Sequence, residues 1–278
     1  MASKPKPAPD DMIIEDVTVP GLRENPPVKL RVYRTRDLKG PAPALFWLHG
    51  GGFIMGTPLL DEQSSINFAR ELGIVVVAAT YRLAPDHPAP AAVEDAYAGL
   101  LAVARTPGRF HVDPTRIAIG GASAGGGLTA ALALYAHDRG EVTPVIQLLV
   151  YPMLDDRTVV RTDVDTRLLR GWTPGSNRYA WTVYAGATPG SDDISPYAAP
   201  ARRADLTGLP PAWIGVGTID LFYDEDLEYA RRLRAAGVSC ESVEVPGAFH
   251  GFDSVMSNAK VSQEFWRQQA EALRRALR

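Results

Sequence analysis

The chain has 278 residues, 46% of them hydrophobic and 22% charged, and its 29 lysines and arginines against 32 aspartates and glutamates leave a formal net charge of −3. A chain of this length can bury one large core, so a single domain over 1–278 is expected, and a near-neutral balance without a basic cluster argues against a nucleic-acid partner. No apolar run approaches the ~20 residues that a membrane crossing needs, and the opening MASKPKPAP lacks a signal peptide's apolar core, so no membrane association and a cytoplasmic location are expected.

Residues 1–10, rich in proline and lysine, are expected to be disordered. Segments 12–19 and 28–35 alternate in strand fashion and predict a first, antiparallel pair of strands. The continuous apolar runs 45–48, 74–79, 117–119 and 145–150 suit strands buried on both faces of a parallel sheet. Between them, Ala89, Ala92, Val93, Ala96, Tyr97, Leu100 and Leu101 recur at three- and four-residue steps and mark one buried helix face. The alanine- and leucine-rich run 128–134 predicts a second helix.

Residues from about 153 to 198 break this rhythm. They are rich in Asp, Arg, Gly and Pro yet carry Leu168, Leu169, Trp172, Trp181, Val183 and Tyr184, which predicts a small helical lid or a surface excursion of similar composition. The pattern then resumes with a strand over 213–219, a helix ending near Gly237, a strand over 240–245 and a helix over 265–273. Strands alternating with crossover helices make the fold class α/β. Cys240 is the only cysteine, so no internal disulfide can form, and its setting reads as a strand thiol.

Two glycine-rich turns each follow a strand-like run. The second, Gly121-Ala122-Ser123-Ala124-Gly125, has the Gly-x-Ser-x-Gly form, in which the flanking glycines leave room for a sharp turn that pushes a nucleophilic serine outward. Gly126 and Gly127 stand where a phosphate-binding loop needs Lys-Ser/Thr, and the dinucleotide spacing Gly-x-Gly-x-x-Gly is not met here. The first turn, His49-Gly50-Gly51-Gly52-Phe53, leaves backbone N–H groups open to a substrate. Gly51 and Gly52, with Ala124 after the serine, are the natural donors of an oxyanion hole.

The remaining members of such a triad follow in the order acid, then histidine. Asp220 stands where the 213–219 strand ends, at the same sheet edge as Ser123, and is the leading acid. Asp224, Glu225 and Asp226 compete for the role, but they open a helix, where capping and the helix dipole explain them. His250 lies in a loop after the 240–245 strand and is the expected base. His49, His87, His111 and His137 have structural explanations, and no His/Cys/Asp cluster has metal-ligand spacing, so neither metal nor cofactor is expected.

The chain resembles the hormone-sensitive-lipase-like branch of the α/β-hydrolase esterases. The likeness rests on His49-Gly50-Gly51-Gly52-Phe53, Tyr81-Arg82-Leu83-Ala84-Pro85, Gly121-Ala122-Ser123-Ala124-Gly125-Gly126 and Phe249-His250-Gly251-Phe252, and runs from about residue 16 to the C-terminus. It implies an α/β-hydrolase fold, with a mostly parallel eight-stranded sheet flanked by helices. It also implies hydrolysis of short- to medium-chain carboxylic esters, a small-molecule ester and water as partners, and a homodimer through the 241–245 edge strand. Two departures are visible: Ala122 replaces an acidic residue usual in the family, and the N-terminal segment that helps form the lid looks shortened. Phe53, Tyr151, Trp172, Trp181, Leu221, Phe222 and Phe252 are the candidates to touch substrate, each also an ordinary core residue. The same constellation can cleave lactones, carbamates, aryl amides or acetylated small molecules, and a non-catalytic binder on this scaffold would predict a lost triad member.

Overall fold

The computed structural model describes residues 7–278; the stretch 1–6 of the segment expected to be disordered lies outside them. In chain order the elements are β1 (Met12–Val19), β2 (Val28–Thr35), β3 (Ala42–Leu48), α1 (Glu62–Leu72), β4 (Val75–Thr80), α2 (Ala91–Arg105), the short α3 (Pro107–Phe110), β5 (Val112–Ala122) and α4 (Ala124–Arg139). There follow β6 (Gln147–Val150), α5 (Pro174–Tyr184), β7 (Ala212–Gly217), α6 (Tyr223–Ala235), β8 (Cys240–Val245), the short α7 (Phe252–Val255) and α8 (Lys260–Ala276). The strands make one sheet in the order β1-β2-β4-β3-β5-β6-β7-β8, antiparallel across β1-β2 and β2-β4 and parallel elsewhere.

Side chains of β3 show how the core is divided. Phe46 and Leu48 join the layer made with α2 and α4, whereas Leu45 and Trp47 join Phe68 of α1 and Phe265 of α8 on the other face. Both faces are covered, so the strand reads as a continuous apolar run rather than an alternation. Helix α4 is buried over every residue from Ala124 to Tyr135 and at Ala136, which explains its small side chains and the absence of a polar stripe. Cys240 is partly buried at the start of β8, and burial pushes its thiol up to about 11, so it stays protonated.

Two strand limits differ from the sequence expectation. β5 begins at Val112 rather than 117, because Val112 pairs with Ala42 before a register shift lets the polar 113–116 bulge out. β7 stops at Gly217, and Thr218 and Ile219 turn away while their N–H groups donate to Val245 and Ala248 carbonyls. That turn carries Asp220 over the carboxyl edge of the sheet.

Candidate active site

β5 enters the Gly121–Gly125 turn, and Ser123 takes φ 58° and ψ −124° before α4 begins. A non-glycine residue held there stores strain of order 1–3 kcal/mol, so the surroundings must hold the turn tightly. They do so by close approach. A Cβ on Gly121 would lie 2.4 Å from the Gly125 carbonyl oxygen, and one on Gly125 would lie 2.1 Å from that of Leu48. Ser123 N–H donates to Val150 O at 2.9 Å, and its carbonyl accepts from Gly127 and Met153 N–H, both at 3.0 Å.

Ser123 Oγ lies 2.8 Å from His250 Nε2, and His250 Nδ1 lies 2.8 Å from Asp220 Oδ2. With a neutral imidazole, Nδ1–H donates to the carboxylate and the serine hydroxyl donates to Nε2. Asp220 Oδ1 accepts from Phe222 N–H at 3.0 Å, which fixes the carboxylate in the β7–α6 turn. Both Asp220 and His250 are buried. Rings hold the imidazole on several sides: Phe222 edge-on at 5.1 Å, Tyr151 edge-on at 4.9 Å, and Trp172 tilted at 6.4 Å.

The first glycine turn folds against this serine. A Cβ on Gly50 would lie 3.5 Å from Ser123 Cβ, and Gly51 and Gly52 have φ of 116° and 62°. Among the described residues, no backbone carbonyl accepts the N–H of either glycine. Ala124 N–H opens α4, where no preceding turn supplies an acceptor. His49 braces the turn from below. Its Nδ1 donates to Gly50 O at 2.7 Å, its ring stacks on Tyr81 at 4.3 Å, and burial lowers its pKa to about 4, keeping it neutral. Tyr81 hydroxyl donates to His49 O at 2.7 Å, Ala84 N–H donates to Phe53 O at 2.9 Å, and Arg82 forks onto Asp95 of α2. The 81–85 stretch is therefore the scaffold of the glycine turn, a role that its residue types alone did not reveal.

The expected substrate-contacting residues separate into groups. Tyr151, Trp172 and Phe222 surround His250, and Leu221 lines a cavity of about 300 Å³ beside Asp220 with Leu168, Leu169 and Ile219. Phe53 and Trp181 are fully buried, with Phe53 stacked on Tyr184 at 3.8 Å, so they tie the glycine turn to α5. Phe252 is buried against Phe265 in the opposite layer. Gly171 carries no motif that marks it in the sequence. A Cβ there would lie 2.2 Å from His250 O, which shows how closely the 161–172 segment rests on the site.

The acids behind Asp220 also separate. Asp224 is exposed and paired with Arg161 at 2.7 Å. Glu225 departs from the helix-capping expectation: it is buried and accepts from the N–H of Leu154 at 2.7 Å and of Asp155 at 3.1 Å, anchoring the chain that leaves β6. Asp226 is fully buried, with neither carboxyl oxygen partnered.

A serine backed by a buried imidazole and carboxylate, facing free N–H groups across a strained turn, is equipped for acyl transfer. The family model described as alpha/beta hydrolase fold matches residues 45–254. The chain belongs to this family. Within the α/β hydrolases, it is 34% identical over 283 residues to carboxylesterase NlhH of Mycobacterium tuberculosis, covering 96% of this chain and 84% of that protein. It is 29% identical to an ethyl acetate hydrolase of Pseudomonas putida, covering 92% of this chain and 80% of that one. Among solved structures, a bacterial heroin esterase superposes with a TM-score of 0.92 at 40% identity, covering 97% of this chain and 86% of that one. These esterase relatives agree with the branch that the four sequence motifs resemble.

Proposed function

We propose that this chain, a carboxylic ester hydrolase by its relatives, works through an acyl-enzyme on Ser123. The observation that carries the reading is the chain of two 2.8 Å contacts from Ser123 through His250 to Asp220. His250 takes the hydroxyl proton as Ser123 attacks the ester carbonyl, and Asp220 holds the imidazole tautomer and stabilises its cation. The N–H groups of Gly51, Gly52 and Ala124 receive the oxyanion, where one such donor contributes about 3–4 kcal/mol. Protonated His250 then delivers its proton to the leaving alcohol. Water, activated by the same imidazole, hydrolyses the acyl group from Ser123.

Trp172 and Leu221, with Tyr151 and Phe222 beside the imidazole, are proposed to bound the substrate. Phe53 and Trp181 support that wall from behind, whereas Phe252 packs in the opposite layer. The segment 153–198 acts as the lid, a role supported by Gly171 and Trp172 resting on His250 and Gly52. Short- to medium-chain esters are the proposed substrates, in keeping with the ethyl acetate hydrolase among the relatives. Turnover of p-nitrophenyl esters from acetate to palmitate, with Ser123→Ala alongside, tests the reading: a maximum at short or medium chains that vanishes in the variant supports it. Retained turnover in Ser123→Ala, or a maximum at palmitate, contradicts it.

The surface proposed for pairing with a second copy is β8, one of the two edge strands of the sheet; sedimentation equilibrium reads the mass directly. Among the described residues no helix is long and apolar enough to cross a membrane, and a cytoplasmic setting is proposed with the esterase role, tested by cell fractionation.

A further inference from the structure

A second cavity, of about 460 Å³, opens between the start of α1 and the α7–α8 corner, with Ala122, Val150 and Tyr151, at the ends of β5 and β6, in its lining. Neither Ser123, His250 nor the 50–52 glycines line it. It is a separate chamber behind the nucleophile turn, in the α1–α8 layer.

Two carboxylates line this chamber. Asp61 Oδ2 accepts from Trp47 Nε1 at 2.9 Å, and Asp253 Oδ1 accepts from the Tyr151 hydroxyl at 2.8 Å. Both donors are neutral, and among the described residues neither carboxylate has a lysine, arginine or histidine in ion-pair range. Burial raises Asp61 to about 6 and Asp253 above the usual carboxylate range, and the charge of Asp253 adds to the rise at Asp61. The one cation in the lining, Arg267, is mostly exposed and engaged with Glu264 at 3.1 Å.

The rest of the lining is suited to an organic guest. Ser262 and Gln269 are each 3% exposed, and Ser262 Oγ and Gln269 Nε2 have no partner within the protein. Trp47 and Trp266 supply aromatic surface, whose ring faces attract a cation. A chamber of this volume is far larger than a bare ion, and among the described residues no group of three or more His, Cys, Asp or Glu could hold a metal.

We propose that this chamber is a second ligand site, taking a small organic cation of benzylammonium size whose ammonium sits on Asp61 and Asp253 beside the rings of Trp47 and Trp266. Its occupant is separated from the imidazole by a single side chain, since Tyr151 bonds Asp253 and meets His250 edge-on at 4.9 Å.

Isothermal titration of the full chain with benzylammonium chloride, and with benzyl alcohol as the uncharged isostere, tests the site. Saturable binding of the ammonium is expected, roughly tenfold or more tighter than the alcohol, a gap of about 1.4 kcal/mol. The Asp61→Asn/Asp253→Asn protein, checked for folding by circular dichroism, should lose that advantage. Equal binding of the two probes, no binding of either, or an unchanged ammonium affinity in the folded double variant would overturn the proposal. Should the variant not fold, the comparison of the two probes on the unaltered chain still decides.

Discussion

The indole of Trp172 lies directly against Gly52: a methyl group on that glycine would sit 2.4 Å from the ring. The 50–52 glycine turn and the 161–172 segment are thus fitted to each other, and only hydrogen at position 52 allows it. Gly52→Ala should cut kcat/KM by on the order of 10²-fold, the scale of one lost oxyanion donor. Because the clash has a named partner, Gly52→Ala/Trp172→Ala should recover part of the loss. An equally inactive double variant would put the whole effect on the backbone, where Gly52 has φ 62°.

Asp220 and Asp224 are four residues apart but differ in setting. Asp220 is buried on His250, while Asp224 is exposed and pairs with Arg161. Asp220→Asn should lower kcat by about 10⁴-fold with the fold intact, the scale seen when an imidazole loses its orienting carboxylate. Asp224→Asn should change kcat less than about twofold, in keeping with the small worth of exposed ion pairs. Steady-state kinetics on both variants read the difference.

Asp226 has no partner for either oxygen, and burial, reinforced by Glu225 and Asp220, raises its pKa well above 3.8. A carboxyl whose pKa is raised on folding costs stability as pH climbs from its unfolded value toward its folded one, because the native state holds the proton longer. Asp226→Asn should therefore be close to neutral at pH 4 and stabilising by about 1–3 kcal/mol near pH 8, the scale of a buried group left unsatisfied. Denaturant melts at the two pH values check it; a gain at pH 4 that shrinks at pH 8 would reverse the sign.

His49 works in the opposite direction. Burial lowers its pKa from 6.5 to about 4, so as pH falls through that window the unfolded chain takes a proton that the native turn refuses, and stability declines. His49→Asn should flatten this acid limb while loosening the glycine turn and lowering kcat. A stability profile of the variant parallel to that of the parent between pH 6.5 and 4 would remove His49 as the cause.

Legibility in the sequence followed locality. Strands such as 12–19, 28–35 and 240–245 are legible to the residue, and the Gly121–Gly125 turn stands out because its glycines and serine are nearly consecutive. Asp220 and His250 were reachable through their places after predicted strands. The aromatic candidates were harder to assign: Phe53, Trp172 and Trp181 look alike in the chain, but one indole caps Gly52 while the other two rings are buried near Tyr184. Glu225 and Asp226 were hidden for the same reason. A helix start explains carboxylates so well that only the packing of residues 154–158 over α6 shows Glu225 to be a buried acceptor. Tyr81 bonds a backbone 32 positions away, a contact no local pattern encodes.

The most direct measurement is mass spectrometry of the protein quenched during turnover of p-nitrophenyl butyrate. One butyryl group per chain is expected on the peptide bearing Ser123, accumulating in Asp220→Asn or His250→Ala only slowly and absent in Ser123→Ala. An adduct on another residue, or full turnover by Ser123→Ala, would contradict an acyl-enzyme on Ser123.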